Sequence, residues 1–155
     1  MLKNYLIQKI KLLSVKNPVL LLDEMNDEEI YFIEEILKDY HNIKGFVLEK
    51  NNKKRIFIKL QNLNYETEKN LEGKIHSLYS KKDYELILNK LLEVIYNEEN
   101  PKPCFYRILA FTYLHLNNIN KAIECFIIAE GVSKKTKNRY KFDSLIKKLE
   151  NKRSL

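Results

Sequence analysis

Apolar positions along this chain fall into helical stripes at both ends and into an alternating pattern between them. Leu2, Leu6, Ile10 and Leu13 share one face with lysines opposite, which predicts a helix over 2–14. Asn17-Pro18 stops it, because the residue before proline is pushed out of the helical region. Val19–Leu22 is a short apolar run that periodicity assigns to neither strand nor helix. Asn26 caps a second helix, 27–40, with Glu29 placed to complete a capping box. Its buried stripe is Ile30, Ile33, Leu37 and Tyr40, widened by Phe32 and Ile36, and Asn42 and Gly45 close it. Phe46 and Leu48, then Ile56, Ile58 and Leu60, alternate as in half-buried strands, and Lys50-Asn51-Asn52-Lys53-Lys54 supplies a polar turn. An isolated hairpin is marginal in water, so this one is expected to lie on helix 27–40. Together these elements predict a small α+β unit over 1–65.

After a polar joint, Gln61–Thr67, the helical period returns. Leu71, Ile75 and Leu78 make one stripe, Ser80–Tyr84 turns the chain, and Ile87, Leu91 and Val94 make the next, ended by Asn100-Pro101. Tyr106, Leu109, Ala110 and Tyr113 then fall at helical spacing, followed by the turn Leu116–Asn120 and by Ala122, Phe126 and Ala129. Phe142, Leu145, Ile146 and Leu149 predict a last helix at about 138–151. The run Tyr106-x2-Leu109-Ala110-x2-Tyr113, then Ala122-x3-Phe126, resembles a tetratricopeptide repeat. Tyr106 takes the Trp position, Ala110 the Gly position, and Lys134 stands where that family closes with Pro. The preceding pair resembles a degenerate repeat, with Ile75 and Ile87 replacing small residues and Pro101 at the closing position.

The resemblance implies a mainly α fold. Two tetratricopeptide-like helical hairpins plus a capping helix would occupy 68–151, behind the small α+β unit with its β-hairpin. Fewer than about three repeats are seldom stable alone, so the amino-terminal unit is expected to cover the other end. The family implies a non-enzymatic scaffold, an adaptor or regulator that binds a peptide or partner protein on its concave face. By resemblance that face carries Lys69, Glu72, His76, Tyr79, Arg107, Phe111, Leu114 and His115. Members that grip a terminal carboxylate place Asn where Phe111 stands, so the alternatives are a groove for apolar side chains or a groove filled by the amino-terminal unit or the carboxyl-terminal helix.

Charge adds a second possibility. The chain of 155 residues carries 28 basic and 21 acidic residues, a net charge of +7. Residues 134–153 hold nine of the basic residues against Asp143 and Glu150, so this stretch accounts for the whole excess. Lys134, Lys135, Lys137, Arg139, Lys141, Lys147 and Lys148 could bind phosphate backbones, with Tyr140 stacking on bases. The alternatives are thus a nucleic-acid binder using this basic carboxyl-terminal helix, or a phage or mobile-element inhibitor that blocks a host protein.

Other chemistry is poorly supported. Pro18–Met25 resembles the strand and acidic pair of a Walker B motif, but no Gly-rich loop followed by Lys-Ser/Thr accompanies it, so a short buried strand before a helix-starting acidic cluster is expected. His76 lies near Glu72, yet no nucleophile or clustered acid completes a catalytic set. Cys104 and Cys125 form no metal-ligand pattern with His41, His76 or His115, so neither metal nor cofactor is expected. The amino terminus lacks a continuous apolar signal core, and no run approaches the ~20 apolar residues of a membrane span. A cytoplasmic location follows as an expectation.

Overall fold

Asn51 and Asn52 both adopt positive φ, 52° and 63°, and form a two-residue turn that fits the right-handed twist of the strands it joins. The turn is therefore shorter than the five polar residues suggest, and both flanking strands are longer: β2, Ile43–Lys50, and β3, Lys53–Leu60. Gly45 lies inside β2 instead of ending a helix. Val19–Leu21 forms β1, which pairs antiparallel with β3 to give the sheet order β1-β3-β2. The structure, a computed structural model, describes residues 1–62 and 71–153, so Lys69 and most of the joint at 61–67 lie outside the described residues.

On one face of the sheet lie α1, Leu2–Lys11, and α2, Asp27–Leu37. Helix α1 ends earlier than its apolar stripe, because Leu12 and Leu13 donate to carbonyls three residues back and tighten the last turn. The capping box at α2 is complete: Asn26 accepts from the Glu29 amide at 2.8 Å, and Glu29 accepts from the Asn26 amide at 3.2 Å. Leu6, Leu22, Ile33, Ile56 and Ile58 make this core. Phe32 does not join it, being 45% exposed on the outer side of α2.

On the other face lie α4, Tyr84–Asn97, and α6, Ile119–Ser133, with Val19, Leu48 and Phe57 of the sheet entering their core. Helices α3, Leu71–Ser80, and α5, Pro103–His115, complete two helical hairpins, and each helix from α3 to α7 packs on the next. Both hairpins turn in one way. Lys82 and Asn117 take left-handed φ of 59° and 62°, and the following residues, Asp83 and Asn118, cap α4 and α6 through their side chains. Leu109, Ala110, Ala122, Phe126 and Ala129 are fully buried between α5 and α6, as the stripes require.

The sheet is a layer shared by two cores. It lies along α4 and α6, the second helices of both hairpins, and not over the α3 end. Helix α7 spans Asp143–Arg153, so the expected start at 138 is too early. Phe142 precedes the helix and its carbonyl accepts from the Ile146 amide at 2.8 Å. Residues 134–142 form an irregular connection. The architecture is mainly helical with a small three-stranded antiparallel sheet.

Candidate partner-binding site

The residues expected on a concave face divide into three groups. Glu72 of α3 receives Lys102 at 3.3 Å, the Cys104 thiol at 3.8 Å and His76 at 4.0 Å. Burial and then the Glu72 carboxylate raise the Cys104 thiol above its ordinary range, which disfavours the nucleophilic thiolate. At the other end His115 stacks on Tyr84 at 4.2 Å, and Tyr79 meets both edge-on, with Leu114 half-buried beside the core. Between these groups the surface is covered. Phe111 packs edge-on against Phe126 at 4.9 Å and against Phe142 at 6.3 Å, and the Arg107 guanidinium lies 5.0 Å over the Tyr140 ring. The chain entering α7 thus fills the middle of the expected groove.

A buried carboxylate holds that chain in place. Glu130 of α6 accepts from the Phe142 amide at 3.0 Å and from Lys50 at 2.7 Å, while Lys50 also reaches Asp143. The Tyr140 amide donates to Ser133 Oγ at 2.9 Å. The basic residues scatter around this knot: Lys135, Lys137, Arg139, Lys141, Lys147 and Lys148 are exposed, and Lys134 donates to the Glu49 carbonyl oxygen. Tyr140, the expected stacking ring, already carries Arg107 on its face.

A different concavity lies where β2 meets the start of α5 and the end of α6. It has a volume of about 710 Å³. Beneath it lies an aromatic stack: half-buried Phe46 stacks on Phe57 at 4.6 Å, and Phe57 meets Tyr106 edge-on at 5.8 Å, these last two rings being fully buried. Leu48, Pro101, Pro103 and Val132 extend the apolar lining, and its charged members are Lys102 and Lys135, with no carboxylate. Lys44 lies 5.0 Å over the Phe46 ring. Gly131 is what lets α6 come this close to β2, since a Cβ there would sit 2.5 Å from Leu48 Cδ2. The sequence alone misses this cleft, because its walls come from residues 45–48, 100–106 and 131–136.

Comparison of the chain with protein-family models, with curated proteins and with solved structures finds no match. Its chemistry must be read from its own side chains. Among the described residues, no group of three or more His, Cys, Asp or Glu is arranged to hold a metal ion, and no helix is long and apolar enough to cross a membrane. Cys125 is fully buried and its thiol is pushed up to about 12 by that burial.

Proposed function

We propose that this chain is a non-enzymatic binding module that holds a segment of a partner protein in the cleft between β2, α5 and α6. One observation carries the reading: an open cleft whose exposed apolar lining is Phe46, Val47, Pro103 and Val132, over the buried rings of Phe57 and Tyr106, and rimmed by lysines. Concave sites with apolar floors and a few polar groups are where ligands bury most surface. The repeated turn at Lys82-Asp83 and Asn117-Asn118 supports a tetratricopeptide-like origin for the two hairpins. Such a scaffold role needs no reacting group. The cleft now stands in place of the α3–α5 face, whose centre Phe142 and Tyr140 cover. Nucleic-acid binding is the weaker reading, because Arg107 occupies the ring it would stack on.

A peptide-library selection tests the proposal. Peptides enriched on the wild-type chain should lose binding to Val132→Asp, a cleft substitution, and keep it with Lys148→Glu on α7. Circular dichroism would establish that both variants stay folded. Selected peptides that ignore Val132→Asp would place binding elsewhere and end this reading.

A further inference from the structure

Strand β2 is an edge of the sheet, and its backbone tells which groups are spare. Leu22 donates to the Ile56 carbonyl, Leu60 to that of Pro18, and Met25 to that of Lys54, so the even-numbered residues of β3 face β1. The odd-numbered ones must serve β2, where their partners are Lys44, Phe46, Leu48 and Lys50. Ile43, Gly45, Val47 and Glu49 therefore turn their N–H and C=O groups outward. Glu49 confirms the direction, since its carbonyl takes the Lys134 ammonium. Among the described residues, nothing takes the outward groups of Gly45 and Val47. The cleft is lined by Gly45 and Val47 as well as by Phe46 and Leu48, residues of opposite faces, so it opens onto the edge itself.

Edges left open are normally blunted by charge or proline, yet this stretch reads Gly45-Phe46-Val47, and Val47 is 46% exposed. We propose that an extended acidic peptide adds to β2 as a further strand, a proposal that rests on the cleft reading above. Its backbone pairs with Gly45 and Val47. Alternate side chains pack on Phe46, Pro103 and Val132, and the others cover Val47. Its carboxylates meet Lys135 and compete with Glu72 for Lys102, the charged residues of the lining. A second copy of this chain fits poorly, because pairing two β2 edges would bring together the lysines of two chains that each carry +7.

Fluorescence anisotropy on the full chain tests this with three labelled peptides: alternating valines flanked by Asp and Glu, the same peptide N-methylated at its pairing amides, and a Lys-flanked version. The acidic peptide should bind at least about ten-fold tighter than either control, the weight of one or two charge-assisted or backbone hydrogen bonds. Val47→Pro should weaken it about ten-fold as well, since the lost N–H faces away from β3. Lys102→Glu with Lys135→Glu, both exposed, should do the same if Val47→Pro proves unstable. Equal binding of the N-methylated peptide would overturn strand addition while leaving the cleft reading intact. Equal binding of the Lys-flanked peptide would overturn the acidic partner. Sedimentation showing a dimer that Val47→Pro dissociates would assign the edge to a second copy. Loss of all peptide binding alongside unaltered selection results for Val132→Asp would remove both readings.

Discussion

Tyr106 shows how one residue can serve the core and the cleft at different costs. The residue is 1% exposed, and its ring meets Phe57 edge-on and supports the cleft from beneath. Its hydroxyl is buried without a hydrogen-bond partner among the described residues, and burial raises its pKa further above the ordinary value. An unpaired buried hydroxyl costs about 1–3 kcal/mol, whereas a Phe of the same shape leaves nothing unsatisfied. Tyr106→Phe should therefore match the wild type or exceed it by about 1 kcal/mol in urea unfolding. A clear loss of stability would mean that the hydroxyl has a partner. Residues 103–115 reveal the ring's helical face from sequence, but nothing local reveals its stranded hydroxyl.

At the scale of elements, the helices were legible because their signals are local. The stripes of α5 and α6 and the Asn26 capping box need only neighbours three or four residues apart, and all took the expected places. What periodicity left open or misplaced was non-local. Val19–Leu21 is a strand because β3, some forty residues on, pairs with it. Helix α7 starts late because Glu130 and Ser133 draw residues 140–142 into an irregular path over Phe111. That path makes a specific prediction. Phe111, Phe126 and Phe142 form one aromatic cluster, so Phe111→Ala should destabilise the fold instead of sparing it as an open-groove residue would. The double substitution with Phe142→Ala should cost less than the two single costs together, with a coupling of about 0.5–1.5 kcal/mol. Additive losses in chemical denaturation would show that the two rings do not support each other.

The whole molecule is two cores sharing one sheet, and Lys59 lies in the shared layer. It is fully buried on the central strand, and among the described residues its ammonium has one hydrogen bond, to the Leu60 carbonyl at 3.2 Å. Burial, and then Lys44, push its ammonium down to about 8, while Glu98 and Glu99 offset this only in part. The unfolded chain keeps that lysine at 10.5, so between the two values the unfolded state binds more protons. Stability attributable to this group must then rise with pH across that window, and below about 8 the cost is fully present. A lowering of this size corresponds to roughly 3 kcal/mol. Lys59→Met fills the same space without a charge. At pH 7 it should therefore be more stable than the wild type by about that amount, and the advantage should shrink steadily as the pH climbs toward 10.5. The informative quantity is the difference between the two pH–stability curves, because every other titrating group is common to both. A difference that stays flat near zero would mean that the Lys59 ammonium keeps its water.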